Sequence, residues 1–230
     1  MTGGVFLARL WLARRGAVRF RRCFDPDLVR AIARGAERIY AEREAALAQG
    51  RLPPEGEKLA YLRRTIPLDA IAVEGARASE LLACKVIHDL ARAYLGRKPS
   101  RDPNSYIRSL IPGPDIQSLP FHQDQTILQM PLLNVWIPLS RCGVAAPGLE
   151  VVRTSQRKLL AVAGVQDDPI PVERARIDER LVLAEFGARA LWHPSFEPGD
   201  ALLFAGTTVH RTYVTPRMTE PRLSVELRFV

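Results

Sequence analysis

The sequence predicts a mainly β fold with flanking helices, a double-sheet jelly roll, and three observations support it. From Ser105 to Val230 about eight strand-like segments are bounded by proline and glycine, the pattern of short antiparallel strands rather than of a helical or doubly wound fold. Helical periodicity is confined to the chain before Asn104. At 230 residues the chain is long enough to bury a sizeable core in one domain. The expected organisation is a single domain over 1–230, with a strand and helical cover in 1–102 and the jelly-roll core in 103–230.

Between Met1 and Gly16 the apolar run Val5-Phe6-Leu7-Ala8 is followed by Arg9, Arg14 and Arg15, with no small-residue cleavage site. This reads as part of the folded domain rather than a signal peptide or a span. Gly16–Phe24 alternates as a strand. Asp25 then suits a helix N-cap and Pro26 the first helical position. Leu28, Ile32, Ala33, Ala36 and Ile39 recur at helical spacing, predicting a helix from about Pro26 to Ala48. Gln49–Gly56 is a loop, and a second helix is expected from about Val73 to Leu95, with Leu81, Leu82, Val86, Leu90 and Ala91 apolar. His88 on that helix adjoins Asp89, which does not face it, so it reads as a packed or solvated histidine. The polar, proline-containing stretch from Arg97 to Asn104 marks the boundary with the β core.

In the core, Ser105–Gly113 is a strand ending in a turn, with Tyr106 and Arg108 on one face. Leu133–Leu139 is an apolar strand carrying Trp136. Phe196–Phe204 is a turn leading into an apolar strand that delivers the chain to Val209-His210, and Pro221–Phe229 alternates as the final strand.

The net charge of +8 and pI near 9.9 raise the question of nucleic acid. The basic residues are spread along the chain without a long run and do not interleave with aromatics, so no nucleic-acid partner is expected. An arginine-rich overall composition, together with attraction of an anionic or carrier-linked small-molecule substrate, is the expected source of the charge. Three cysteines, Cys23, Cys84 and Cys142, form no Cys-x-x-Cys pair. This argues against a zinc site or a disulfide framework and suits a reducing compartment, the cytoplasm, with no membrane association.

The chemistry centres on Phe121-His122-Gln123-Asp124-Gln125. In extended chain His122 and Asp124 project to one side and Gln123 to the other. Of the four histidines, only His122 is followed two residues later by a carboxylate. Two histidines and one carboxylate leave three positions of an octahedral ion open, as non-haem Fe(II) oxygenases require. His210 is the candidate for the third ligand. His193, in Leu191-Trp192-His193-Pro194, is its rival.

The order of strand, His-x-Asp, apolar strand with tryptophan (Leu133-Asn134-Val135-Trp136-Ile137-Pro138-Leu139), Pro-Gly-Asp strand, histidine and then arginine resembles the phytanoyl-CoA dioxygenase family. The likeness covers roughly 103–230, with a weaker echo at the N-terminus. It implies a double-stranded β-helix (jelly roll, cupin-like) that binds Fe(2+), 2-oxoglutarate and dioxygen. His122, Asp124 and His210 match the family's metal ligands. Arg222, on the last strand after the distal histidine, matches the arginine that pairs with the far carboxylate of 2-oxoglutarate, and Arg217 and Arg228 fit that position less well. Thr212 resembles the family's hydroxyl contact to the same carboxylate and Trp136 its tryptophan near the co-substrate. Tyr106 is a further co-substrate candidate and Arg108 a substrate candidate. Arg141 and Arg153 are the other cations that can meet an acidic substrate.

One departure concerns substrate class. Where the family commonly has Pro-Gly-Ser-His, this chain has Gly148-Leu149-Glu150-Val151-Val152 running into Arg153-Thr154-Ser155-Gln156. Because Asp124 retains its carboxylate, no position is vacated for halide, so hydroxylation of a small molecule with release of succinate and CO2 is expected. The alternative is a non-oxygenase cupin-type jelly roll that binds a metal or a sugar, in which Arg222 would point away from the metal.

Overall fold

A computed structural model describes residues 3–51, 64–70, 72–73, 76–113 and 118–230. The chain opens on helix α1 (Gly3–Arg15), and strand β1 (Ala17–Phe20) and helix α2 (Pro26–Ala48) follow. As the sequence predicts, Asp25 caps α2 through its side chain, which accepts from the Asp27 N–H at 2.7 Å, and Pro26 stands in the first turn. Val29, Ile32, Ala36 and Tyr40 form the buried stripe of α2, with Leu28, Ala33 and Ile39 at its margins.

The helix expected over 73–95 is shorter. Strand β2 (Thr65–Pro67) and the two-residue strands β3 (Ala72–Val73) and β4 (Ala76–Arg77) come first, then a 3-10 segment (Ala78–Ala83), and helix α3 spans only Lys85–Leu95. Cys84 adopts extended backbone (φ −63°, ψ 104°), which interrupts helical geometry between the two segments. Leu81 and Leu82 fit either kind of helix, so periodicity could not separate them. Residues 52–56 of the expected 49–56 loop lie outside the described residues.

The core strands are β5 (Tyr106–Leu110), β6 (Leu133–Pro138), β7 (Gly148–Val152), β8 (Leu191–Trp192), β9 (Ala201–Ala205), β10 (His210–Tyr213) and β11 (Arg222–Phe229). Short helices α4 (Asp124–Leu128), α5 (Pro171–Arg174) and α6 (Glu179–Phe186) lie between them. A six-stranded antiparallel sheet has the order β1-β9-β6-β11-β5-β2, and a three-stranded one the order β10-β7-β8.

Alternation sorts the side chains of the large sheet. Leu133, Val135, Ile137, Leu203, Val225, Leu227 and Phe229 face the helices in one apolar core. Trp136, Leu202 and Phe204 face the small sheet and meet Leu149, Val151 and Phe196 in a second. The same inward parity on β11 selects Arg222, Ser224, Glu226 and Arg228, so the last strand lines the space between the sheets with polar groups. His88 packs edge-on against Phe229 at 5.0 Å, a core contact on the helix side of the sheet. Among the described residues no helix is long and apolar enough to cross a membrane.

Candidate metal centre

His122 and Asp124 do not lie on a regular strand. His122 forms an isolated antiparallel bridge with His210, the first residue of β10. Each histidine donates its backbone N–H to the other's carbonyl at 3.0 Å, so the two backbones are clamped side by side. Gln123 is extended (φ −125°, ψ 123°) and Asp124 opens α4. The expected outcome survives because His122 and Gln123 keep extended geometry, which returns the Asp124 side chain to the face of the His122 ring.

The imidazoles lie 4.1 Å apart between centroids. The Nε2 atoms of His122 and His210 stand 3.8 Å from Oδ1 and Oδ2 of Asp124 respectively. One ligand atom from each of the three residues lies within 4.8 Å of the others. Adjacent ligands of an ion held at about 2.1 Å are about 3 Å apart, so small side-chain shifts close the set. Both Nδ1 atoms are committed to backbone carbonyls, His122 to Pro120 at 2.8 Å and His210 to Thr208 at 2.9 Å. Nδ1 therefore carries the proton, and the Nε2 lone pair is free to point at a metal.

Burial, then the neighbouring His210, pulls the His122 pKa down to about 3. Burial opposes ionisation of Asp124, but Arg228, His210 and His122 outweigh it and hold the carboxyl at about 2. Both residues are thus in their metal-binding protonation states at neutral pH.

A narrow inner cavity of about 30 Å³ runs from the triad past Asn134, Trp136 and Thr212 to Arg222. Asn134 Nδ2, Trp136 Nε1 and Arg222 Nε are buried donors with no hydrogen-bond partner among the described residues. Arg222 is 2% exposed, and its Nη1 donates to the Gly148 carbonyl at 2.9 Å. Burial lowers its pKa, so the site favours arrival of an anion there. These orphan donors fit a carboxylate-bearing co-substrate that reaches inward from the metal. At about 30 Å³ the slot is smaller than a five-carbon diacid. The Thr212 hydroxyl accepts from the Leu119 N–H at 2.9 Å while lining the same slot.

An outer cavity of about 300 Å³ opens on His122, Asp124 and Arg228. Its wall is mainly apolar, with Leu119, Ile127, Leu128, Ile170 and Val172, and it includes Tyr106. Tyr106 therefore lines the outer cavity rather than the inner slot, because it pairs with Glu226 near the metal end of β11. Arg108 lines neither cavity. Its strand lies between β11 and β2, in register with Ser224 and Thr65, and the side chain is fully buried. Arg141 is on the surface beside Glu197 at 3.2 Å, and Arg153 lies over the Trp192 ring at 4.6 Å. His193 is away from the triad, bonded to Glu150 at 3.0 Å and stacked on Tyr213 at 4.1 Å.

Two contacts escaped the sequence reading. Arg228, weighed there only as a weaker candidate for the co-substrate carboxylate, instead reaches Asp124 Oδ1 at 3.4 Å and Glu226 at 3.8 Å, and its place two and four residues along the inward face from Glu226 and Ser224 was the available signal. Gln123, fully buried, donates to the carbonyls of Lys158 (3.0 Å) and Thr207 (2.5 Å) and accepts from the Leu160 N–H at 2.8 Å. It fastens the ligand segment to the long β7–α5 connection.

The jelly-roll fold and the buried His-Asp-His set are those of a non-haem iron oxygenase. Residues 12–215 match the phytanoyl-CoA dioxygenase (PhyH) family. The chain belongs to that family. No curated protein matches it. Solved structures share the jelly-roll fold at low identity. EctD from S. alaskensis, solved with 2-oxoglutarate and 5-hydroxyectoine, is 20% identical with TM-score 0.70 over 96% of this chain and 74% of its own. The epimerase SnoN, in complex with Fe3+, alpha-ketoglutarate and nogalamycin RO, is 18% identical with TM-score 0.64 over 100% and 84%. AviO1 from Streptomyces viridochromogenes Tue57 is 18% identical with TM-score 0.63 over 98% and 94%.

Proposed function

We propose that this protein hydroxylates a small, mainly apolar molecule held in the outer cavity, with consumption of 2-oxoglutarate and dioxygen and release of succinate and CO2. The observation that carries the reading is the buried triad, with two Nε2 atoms each 3.8 Å from an Asp124 oxygen and both Nδ1 atoms bound to carbonyls. His122, Asp124 and His210 would hold the iron, which when bound supplies the activation of dioxygen by the keto acid.

The chain's own groups divide the remaining work. Arg222 would take the far carboxylate of the co-substrate, with Thr212 and the Trp136 N–H beside it. Arg228 holds the Asp124 carboxylate ionised and oriented. Ile127, Leu128, Ile170 and Val172 exclude water from the substrate side. Tyr106, with Arg228 over its ring, forms part of the substrate cavity wall. An intact carboxylate at Asp124 supports hydroxylation over halogenation, and the apolar wall supports a substrate without a large charged group in place of the anionic one that the net charge suggests.

Reconstitution with Fe(II) under anaerobic conditions, followed by 2-oxoglutarate and air, tests this. Iron-dependent succinate formation is expected, and it is lost in His122→Ala and Asp124→Ala. Absence of iron-dependent succinate from folded, iron-loaded protein overturns the reading. Screening neutral apolar compounds and matched carboxylates for stimulation of succinate formation, with mass-spectrometric detection of a product 16 Da heavier, identifies the reaction.

A further inference from the structure

On the helix side of the large sheet, across it from the metal centre, two thiols face one another. Cys23 lies in the turn between β1 and α2, and Cys84 is the N-cap residue of α3. Their Sγ atoms are 4.0 Å apart although the residues are 61 apart in sequence. Both are half-buried at the margin of the helix-side core, whereas Cys142 is fully buried. A disulfide needs about 2.05 Å between sulfurs, so the two must approach by about 2 Å to bond.

The pair is also electronically asymmetric. The hydrogen bond from Cys23 lowers the Cys84 pKa most; burial opposes it, and the N–H groups of Val86 and Ile87 at the start of α3 lower it further, to about 6. The same hydrogen bond, with burial and the Asp200 charge, raises Cys23. Of the two sulfurs, Cys84 is therefore the one that loses its proton more readily. Burial pushes Cys142 up to about 12, which makes it an internal unreactive control.

We propose that Cys23 and Cys84 form an oxidisable dithiol site that hydrogen peroxide converts to an intramolecular disulfide. The Cys84 thiolate attacks one peroxide oxygen, the O–O bond breaks, and Cys84 becomes a sulfenic acid as hydroxide leaves. That hydroxide takes the Cys23 proton to give water. The Cys23 thiolate then attacks the Cys84 sulfur, the S–S bond forms and a second hydroxide departs. One thiolate, one thiol and one peroxide thus give one disulfide, one water and one hydroxide, with both sulfurs oxidised and peroxide reduced. The bond closes a segment containing β2, whose Thr65 lines the outer cavity.

The test uses the full chain at pH 7 with a few equivalents of hydrogen peroxide, then alkylation and non-reducing peptide mapping. The expected result is a protein 2 Da lighter, a Cys23–Cys84 cross-linked peptide as the main product, reversal by dithiothreitol, and Cys142 alkylated only after unfolding. Cys84→Ser should slow peroxide consumption by at least about tenfold, and Cys23→Ser should accumulate a dimedone-reactive Cys84. Wild-type mapping alone decides the matter even if a variant folds poorly. Survival of both thiols in excess peroxide, sulfenylation without the cross-link, or exclusively intermolecular disulfides would each overturn the proposal. None of these outcomes touches the iron site.

Discussion

Replacing Arg222 by Met separates co-substrate binding from folding. In the wild type the guanidinium is 2% exposed, donates to the Gly148 carbonyl and leaves Nε without a hydrogen-bond partner among the described residues. Methionine keeps most of the volume and removes a buried charge. The lost bond to Gly148 costs about 1 kcal/mol, and relief of the desolvation penalty offsets it, so stability should change by no more than about 1 kcal/mol. Binding is another matter. A far carboxylate brought into that slot loses its charged partner, at a cost of about 3 kcal/mol, or on the order of 100-fold in affinity. The assay is the KM for 2-oxoglutarate in iron-dependent succinate formation, beside a urea unfolding curve. A 2-oxo monocarboxylic acid of equal length is the control, since it has no far carboxylate and should bind wild type and Arg222→Met alike. An increase of less than about fivefold in the KM for 2-oxoglutarate, with iron binding intact, would refute the assignment, as would an equal effect on the monoacid.

Other predictions follow from the same contacts. Gln123→Leu removes three hydrogen bonds of a fully buried side chain and should destabilise by about 2–4 kcal/mol in urea unfolding, with weaker iron retention. Gly16 has φ +69°, and a Cβ there would come 2.6 Å from the Thr154 carbonyl oxygen, so Gly16→Ala should lower the melting temperature by several degrees. For the metal-free protein the sign at acid pH is fixed by His122. Its folded pKa is about 3 against an ordinary 6.5, so the unfolded chain binds its proton first and stability falls as pH drops from about 6.5 towards 3. Between pH 7.5 and pH 5 in a chelator, urea unfolding should show a loss of about 2 kcal/mol from this residue, absent in His122→Gln.

The convergence of His122, Asp124 and His210 was legible because such a set is rare and partly local. Only four histidines are present, and the His122/Asp124 spacing needs two extended residues and nothing more. The strands of the core were legible from alternation and from turns such as Pro198-Gly199-Asp200. The α2 cap was legible because Asp25 and Pro26 act through local bonds and fixed torsions. The 3-10 segment before α3 was hidden, because its leucines suit two helical periods and the extended Cys84 follows from packing. Helix α1 was hidden for a related reason. Its buried residues Val5, Ala8 and Leu12 are interleaved with exposed Phe6, Leu7, Leu10 and Trp11, which blurs the apolar stripe that a sequence reading depends on.

The roles of the arginines show where sequence information stops and tertiary structure begins. Arg222 and Arg228 occupy the same face of β11 because they are separated by an even number of residues, and period-two reasoning says only that both point inward. What distinguishes them is position along the strand relative to its neighbours. Arg228 stands opposite Asn134 on β6, at the end where the His122–His210 bridge and Asp124 lie, while Arg222 stands opposite Leu110 on β5 and reaches Gly148 on β7. One guanidinium is therefore neutralised by the metal-binding carboxylate. The other is left at the far end of the slot, its Nη1 on a neutral carbonyl, where an incoming dicarboxylate would finish. Inter-strand register thus brings Arg228 to Asp124, 104 residues away in sequence, and keeps the identical side chain of Arg222 clear of it.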